Sequence, residues 1–363
     1  MQRELSQKIQ RVVVKIGASV ITDEKGRLNA IRLKNIVGQV CLLEQKGIDV
    51  VLVTSGAIAS GMQLLKIPCR PNNLSCLQAS AALGQNILMG MYFDAFRKKN
   101  KLCAQVLLTW DDFNDRVRYL NAKNTLLQLL EYRVIPVINE NDTVAVDEIR
   151  FGDNDRLSAL VASIIGADLL IIFSDVDGLY RGEGKSKEVI PQVSDIKEEI
   201  ENLAKDTSRK HISVGGMKTK LEAARIAMNS GIPCIVANGK TKDILLKILR
   251  GEAVGTIFLK SQSTLLAKKR WLAFGTKPRG KVYVDDGARD ALINKGKSLL
   301  CPGVVNAEGK FQARDVVLVV DREGREFAKG VVNYSKEELQ DLKGARGRQE
   351  VIHRDNLVIL KGS

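Results

Sequence analysis

A pair of glycines at the start of a predicted helix gives the sequence its most specific phosphate-binding pattern, VGGMKTKLEAA at 214–224. The unpaired N–H groups of a helix's first turn and the helix dipole attract anions. Lys218 and Lys220 add two positive charges at the same end. The pattern predicts a phosphate site, although a Gly-Gly pair also begins helices that bind no ligand.

Two other loops follow predicted strands and carry groups that suit anions. Lys15 lies near the end of the apolar run VVVKIG at 12–17, and Gly17 and Ser19 follow the lysine closely. An ammonium group beside close backbone N–H groups can bind a phosphate. The spacing is not that of a Walker motif, and a solvated lysine at a strand end gives the same pattern. VTSGA at 53–57 places Ser55 after the next strand, where it can bind a carboxylate or phosphate or form an ordinary tight turn.

The densest polar segment is NENDTVAVDEIRFGDNDRLSA at 139–159, which joins an apolar strand to an apolar helix. Asp153 is expected to cap that helix, with Asn154 and Asp155 in its first turn. The remaining polar groups, Asp142 among them, can bind an ammonium group or the water shell of Mg²⁺. An acidic loop without a ligand is the alternative.

Ser174 and Asp175 follow the most apolar strand, in SDVDGLY at 174–180, and can bind a nucleotide or a lysine or form a bare turn. The sequence holds only two histidines, and its six cysteines include no CxxC pair. These counts argue against a histidine dyad, a histidine-rich metal site, a metal cluster and a disulfide framework. Reduced cysteines are typical of a cytosolic protein.

These loops belong to one pattern of alternating apolar strands and helices that covers residues 1–260. Such a pattern is typical of a mostly parallel open sheet covered by helices. Ligands bind at the carboxyl ends of the strands in these sheets, so we expect the loops to meet at one edge. The predicted strands are 12–17, 49–57, 104–109, 134–142, 168–175 and 232–239.

The pattern changes after residue 260. A basic linker at 268–280 is followed by short β-rich segments with glycine turns, which predict a small β-barrel. We therefore expect two domains, 1–262 and 276–363. The composition, with 45% hydrophobic and 27% charged residues in 363, is typical of a folded globular protein. The net charge of +14 favours anionic ligands or a nucleic acid.

The sequence shows no pattern that predicts a membrane-bound or secreted protein. Its first ten residues, MQRELSQKIQ, are polar and lack the apolar core of a signal peptide. The most apolar stretch, 157–173, is interrupted by Gly166 and Asp168, which favours a buried helix and strand over a membrane span. We expect a cytoplasmic protein.

In this order, the motifs VVVKIGAS, VTSGA, NENDTV with FGDND, SDVDGLY and GGMKTK resemble the amino-acid kinase superfamily, and most of all its glutamate 5-kinase family. The segment from KVYVDDGA to FAKGVVNY resembles a PUA domain. The resemblance covers nearly the whole chain. It implies the amino-acid kinase fold, ATP and Mg²⁺, and phosphorylation of the side-chain carboxylate of L-glutamate, the first step of proline biosynthesis. A kinase for another carboxylate or phosphate acceptor, and an RNA-binding PUA protein, are the alternatives.

The resemblance also implies a role for each matching residue. Lys15 and Lys220 would act on the transferred phosphoryl group, and Asp155 would organise both lysines. The substrate positions would be Ser55, Asp142 and Asn154, with Asp142 on the amino group. The implied nucleotide-binding residues are Lys15, Ser174, Asp175, Val214, Gly215, Gly216, Met217, Lys218, Thr219 and Lys220.

Two positions depart from the family pattern. Ser174 stands where the family usually has threonine, and Ser213-Val214 stands where it commonly has Gly-Thr. No residue is assigned to a metal. The implied partners are L-glutamate and ATP, proline as a feedback inhibitor, a second copy of the chain in a homo-oligomer, and a reductase that receives glutamyl phosphate. The PUA domain leaves RNA open as a further partner, and none of these partners is a membrane.

Overall fold

The computed structural model describes residues 9–23, 26–145, 154–182, 187–205, 216–261, 272, 276, 278–341 and 350–360. The chain divides into two compact units, one of Met1–Asp112 with Val117–Thr264 and one of Phe113–Arg116 with Leu265–Ser363. The expected boundary between residues 262 and 276 falls mostly outside the described residues and stays a prediction.

Eight of the described strands form one sheet in the first unit, in the order β3-β4-β2-β1-β5-β9-β10-β8. Neighbouring strands run parallel except for β9 and β10, so the predicted mostly parallel sheet is confirmed. The sheet strands are β1 (Arg11–Ile16), β2 (Asp49–Val53), β3 (Cys103–Leu108), β4 (Ile135–Glu140), β5 (Leu169–Ser174), β8 (Gln192–Val193), β9 (Cys234–Asn238) and β10 (Thr256–Phe258). A separate hairpin pairs β6 (Tyr180–Arg181) with β7 (Glu188–Val189).

Helices lie between most of these strands, as the alternating pattern predicts. Their apolar faces and the central strands share one core, in which Val14, Tyr92 and Phe173 are fully buried. The helices are α1 (Ala18–Ile21), α2 (Ala30–Gln45), α3 (Ala57–Leu64), α4 (Leu74–Arg97), α5 (Trp110–Asn114), α6 (Arg116–Glu131), α7 (Asp155–Ile165), α8 (Glu198–Lys205), α9 (Met217–Asn229) and α10 (Ile244–Leu249).

The register of the central strands brings their carboxyl ends together. On β1, Lys15 lies opposite Val53 of β2 and Ile172 of β5. Polar side chains that come just after Val53 and Ile172 therefore lie beside Lys15. This register is why residues from separate parts of the sequence can form one site.

Two glycines allow α3 and α4 to touch through their backbones. A Cβ atom at Gly61 would lie 1.7 Å from the carbonyl oxygen of Ser80, and one at Gly84 would lie 1.8 Å from that of Ala57. Because α3 begins directly after Gly56, this contact also fixes the loop that follows β2. Gly56 itself has φ +110°, in the left-handed region that favours glycine.

The second unit has its own sheet and its own core. Its strands are ordered β12-β11-β13-β14-β15, with antiparallel pairs except for β11 and β13. Val282, Val319 and Ala328 are fully buried in its core. These features confirm a small β-rich domain after the kinase-like unit. The elements are β11 (Gly280–Val284), α11 (Asp286–Ile293), β12 (Val304–Gly309), β13 (Val316–Val320), β14 (Glu326–Val331), α12 (Lys336–Asp341) and β15 (Leu357–Ile359).

Candidate active site

A cavity of about 510 Å³ opens at the carboxyl edge of the eight-stranded sheet. Its walls come from the loops after β1, β2, β4, β5 and β9 and from the first turn of α9. This is the edge where an open parallel sheet places its ligands. The predicted site residues that line the cavity are Lys15, Ser55, Asp142, Asn154, Ser174, Asp175 and Lys220.

Three buried charged side chains form the centre of the site. Lys15 Nζ lies 2.5 Å from Asp155 Oδ1, and Lys220 Nζ lies 3.0 Å from Asp155 Oδ2. The hydroxyl of Thr219 donates a hydrogen bond of 3.0 Å to the same Oδ2. Both lysines line the cavity, whereas Asp155 lies behind them. The two ammonium groups are therefore held in place by one carboxylate and face the cavity together.

Each of these residues lies where its element begins or ends. Lys15 is next to last in β1, Asp155 is the first residue of α7, and Lys220 lies in the first turn of α9. The first turn of a helix carries partial positive charge. Gly216, the N-cap of α9, has no side chain to cap that turn. Positive charge from side chains and backbone thus collects at one end of the cavity, which suits a group as negative as a triphosphate.

Neutral polar groups form another part of the cavity wall. The hydroxyl oxygen of Ser55 is buried and makes no hydrogen bond to the described residues. Asn154 Nδ2 donates to the carbonyl oxygen of Thr54 and, over 2.7 Å, to Asn139 Oδ1. The buried side chains of Ser55, Asn139 and Asn154 all line the cavity.

The structure corrects one sequence-based expectation about α7. Asn154 is the N-cap residue and not part of the first turn, and its side chain makes no capping hydrogen bond. The reason is that its amide group is turned toward Thr54 and Asn139. A capping asparagine typically stabilises a helix by about 1 kcal/mol. Asn154 does not provide that stabilisation, because its side chain lies in the cavity wall. Asp153, the expected cap, lies outside the described residues.

The mouth of the cavity carries opposite charges. Asp142 lies in the turn after β4 and lines the cavity together with Arg70. Burial lowers the pKa of the Arg70 guanidinium, and the negative charge of Asp142 partly opposes that shift. Sequence reasoning missed Arg70, because a single arginine in the loop PCRPNN belongs to no periodic or spaced motif.

Ser174 and Asp175 lie at the end of β5, with the Ser174 hydroxyl 3.2 Å from Asp175 Oδ1. Lys240, which follows β9, and Arg32 of α2 line the same cavity and were also missed. Lys240 could have been noticed, since it directly follows the predicted strand 232–239 and so belongs to the same sheet edge as the other site loops.

The glycine-rich loop is only partly described. Gly216, Met217, Lys218 and Thr219 begin α9, but they are not among the residues that line the cavity. Val214 and Gly215 lie outside the described residues, as do the acidic residues 147 and 148.

Carboxylates reach the cavity singly. Within the described ranges, no group of three or more histidine, cysteine, aspartate or glutamate residues is placed to hold a metal. Glu140, Asp142 and Asp175 all line the cavity. This donor set fits Mg²⁺ that enters with the phosphates of a nucleotide and keeps most of its water ligands. No helix of the described chain is long and apolar enough to span a membrane.

Comparison with known proteins identifies both units. Residues 10–238 match the model of the amino acid kinase family, and residues 280–354 match that of the PUA domain. The glutamate 5-kinase of Caldanaerobacter subterraneus subsp. tengcongensis is 47% identical, over 97% of this chain and 98% of that protein. The glutamate 5-kinase of Syntrophotalea carbinolica is 44% identical, over 99% of this chain and 100% of that protein. The chain therefore belongs to the glutamate 5-kinases of the amino acid kinase family, and a PUA domain forms its carboxyl-terminal unit.

Proposed function

We propose that the protein transfers the γ-phosphoryl group of ATP to the side-chain carboxylate of L-glutamate, forming ADP and L-glutamyl 5-phosphate, as the first step of proline biosynthesis. The observation that carries the proposal is the pair of buried ammonium groups of Lys15 and Lys220, which Asp155 holds beside the cavity. The mouth of that cavity carries opposite charges that are complementary to those of an amino acid.

The reaction needs charge stabilisation more than proton transfer. A carboxylate oxygen of glutamate forms a bond to the γ-phosphorus while the bond from that phosphorus to the oxygen of ADP breaks. The glutamate side chain has a pKa of about 4.3, so it is already an ionised nucleophile near pH 7 and requires no general base. Negative charge on the γ-phosphoryl oxygens is stabilised by preorganised positive groups. Lys15 and Lys220 supply that charge, and Asp155 is the residue that positions them.

The nucleotide is assigned to the end of the cavity formed by β5 and α9. Ser174 and Asp175 would contact it there, together with Lys15, Lys220 and the segment from Gly216 to Thr219. Positive ends of helices commonly bind phosphates. Val214 and Gly215 are nucleotide-binding residues in the sequence-based assignment, and that assignment stays a prediction.

The amino-acid end of glutamate is assigned to the mouth and the neutral wall. Its α-ammonium suits the carboxylate of Asp142, and its α-carboxylate suits the guanidinium of Arg70. Both side chains line the cavity, and Asp142 acts electrostatically on Arg70, so one zwitterionic group would meet both. Ser55 and Asn154 would contact the substrate from the wall. The opposite charges at the mouth favour an amino acid over an acceptor that carries only negative charge.

Mg²⁺ would be held by the phosphates of ATP, and a cavity carboxylate such as Asp175 would bind its water ligands. When bound, the ion neutralises part of the phosphate charge. Titration calorimetry tests this arrangement. We expect measurable Mg²⁺ binding only when a nucleotide is present, and tight binding without a nucleotide would contradict it.

Membership of the glutamate 5-kinases also leads us to propose several partners. The acyl phosphate product is reactive, which favours transfer to a reductase, and proline would act as a feedback inhibitor of a homo-oligomeric enzyme. The PUA domain leaves RNA open as a further partner, which a salt-dependent gel shift with transfer RNA would test. We also propose a cytoplasmic location, since all six cysteines are free.

The decisive experiment measures ADP release with glutamate, aspartate and N-acetylglutamate as acceptors. Glutamate should give the highest kcat/KM, because its carboxylate reaches the lysines when its zwitterionic end lies at the mouth. Equal rates with all three acceptors would contradict the proposed substrate, and the absence of release with any of them would contradict the kinase activity.

A further inference from the structure

A chain of buried amide groups runs from α4 to the cavity wall. Asn139 Nδ2 donates to Gln85 Oε1 over 2.7 Å, and Asn154 Nδ2 donates to Asn139 Oδ1 over 2.7 Å. Gln85 is 9% exposed, Asn139 2% and Asn154 5%. Asn139 and Asn154 line the cavity, whereas Gln85 does not. Gln85 therefore lies one layer behind the wall and touches it through Asn139.

The amide groups of this chain are oriented together, because the chain ends on two acceptors, the carbonyl oxygen of Thr54 and Gln85 Oε1. The carbonyl oxygen of Thr54 can only accept a hydrogen bond, so the atom of Asn154 next to it must be the donor Nδ2. The same Nδ2 group also donates to Asn139, so the Asn139 atom that faces it must be the acceptor Oδ1. Asn139 then turns its own Nδ2 toward Gln85, which must offer an oxygen in turn. Only one set of amide orientations satisfies all three hydrogen bonds of the chain, in which Gln85 Nε2 is buried without a partner among the described residues.

This orientation decides which atom Asn154 offers to a ligand. Both hydrogens of its Nδ2 are used, one by Thr54 and one by Asn139. Its side chain does not cap α7. The Oδ1 atom remains, and an amide oxygen only accepts hydrogen bonds. Asn154 thus presents an acceptor to the cavity, which suits the ammonium group of an amino acid and disfavours a carboxylate.

We infer that Gln85 is a positioning residue for the amino-acid subsite, because its Oε1 holds Asn139 in the orientation that makes Asn154 present its oxygen to the substrate ammonium. The inference rests on the proposed function. If the residue at position 85 offers no acceptor, the Asn139 amide can flip without losing a hydrogen bond to that residue. A flipped Asn139 would offer Asn154 a donor, and Asn154 would lose the partner that fixes its orientation.

Steady-state kinetics of Gln85→Met and Gln85→Glu test the inference. Methionine keeps the volume of glutamine and removes the acceptor, so the KM for glutamate should rise about tenfold or more, the scale of one lost hydrogen bond to a charged group. The KM for ATP should stay within about threefold. Glutamate at position 85 keeps an oxygen where Asn139 donates, and it should restore the KM for glutamate to within about threefold of the wild type.

Gln39→Met is the matched control. Gln39 is also a buried glutamine, 7% exposed, whose Oε1 accepts a hydrogen bond from the backbone N–H of Leu245, away from the cavity. It should lower Tm without changing the KM for glutamate. If Gln85→Met does not fold, Gln85→Asn replaces it, since its shorter side chain keeps an amide that no longer reaches Asn139.

Three results would overturn the inference: an unchanged KM for glutamate in the variant without the acceptor, an equal rise in the KM values for both substrates, or a Gln85→Glu variant as impaired as Gln85→Met. The wild type separates this failure from that of the proposed function. A wild-type protein that releases no ADP with glutamate contradicts the kinase assignment, whereas an active wild type with an equally active Gln85→Met variant contradicts only the role of Gln85.

Discussion

The carboxylate of Asp155 lies 2.5 Å from the ammonium group of Lys15, and neither side chain is more than 4% exposed. Removing two charges from water costs free energy that a single ion pair only partly offsets. Here the same carboxylate also holds Lys220, so one anion faces two cations. The cluster keeps an excess of positive charge at the cavity, which a bound phosphate would balance.

The two lysines should each be needed for the chemical step. Lys15→Met and Lys220→Met should lower kcat by roughly 10²–10⁴, because each removes a preorganised charge from the transition state. Coupled measurement of ADP release gives kcat, and circular dichroism checks that the variants are folded. Lys34→Met, on an exposed part of α2, should leave kcat unchanged. A near-normal kcat in either cavity variant would remove that lysine from the mechanism.

Asp142 should recognise the α-ammonium group of the substrate. Asp142→Asn should raise the KM for glutamate at least about tenfold, since a lost hydrogen bond to a charged group costs about 1.5–3 kcal/mol. The KM for ATP should stay within a small factor. Glutarate, which lacks the ammonium group, should inhibit the variant and the wild type equally. A fall in ATP affinity instead would make Asp142 a nucleotide or metal residue.

Arg70 should recognise the α-carboxylate. Arg70→Gln should lower kcat/KM for glutamate about tenfold or more, for the same energetic reason. 4-Aminobutanoate is glutamate without its α-carboxylate, so its kcat/KM or inhibition constant should be the same for variant and wild type. An equal loss with both compounds would mean that Arg70 supports the loop and does not contact the substrate.

Alanine substitution should change protein stability in opposite directions at two glycines of α4. Gly84→Ala should destabilise the protein by about 1–3 kcal/mol, because the added Cβ would lie 1.8 Å from the carbonyl oxygen of Ala57 and push α3 away from α4. Gly90→Ala should stabilise it by about 0.5–1 kcal/mol, since no atom lies within 4 Å of that added Cβ and alanine favours the helix. Thermal unfolding measures both, and equal Tm values would contradict the backbone contact.

The PUA domain should be dispensable for the chemistry. A chain that ends near residue 262 should keep glutamate-dependent ADP release, because every residue assigned to the reaction precedes residue 221 and the first unit has its own core. Proline inhibition, Mg²⁺ dependence or oligomeric state can change. Thermal melting identifies truncated chains that are merely unfolded. A cooperatively melting but inactive truncate would show that later residues complete the site.

The sequence by itself determined the local structure and the types of group at the site. Continuous apolar runs such as DLLIIFSD form strands that are buried throughout, and they do so because nothing polar interrupts the run. Polar residues directly after such runs must lie at the sheet edge. Lys15, Ser55 and Ser174 were placed there by that rule, and the resemblance to amino-acid kinases assigned their roles.

The resemblance implied that Asp155 organises Lys15 and Lys220, and only the tertiary structure decided how these residues meet. Asp155 joins Lys15 and Lys220 because the order and register of the parallel strands bring β1, α7 and α9 to the same point, and local patterns carry no information about strand order. The residue types near Asn154 predicted a helix cap at that point. The Asn154 side chain instead donates hydrogen bonds to the carbonyl oxygen of Thr54 and to Asn139 Oδ1. Hydrogen bonds to distant groups replaced the local one, since a buried amide must be satisfied wherever the fold places it.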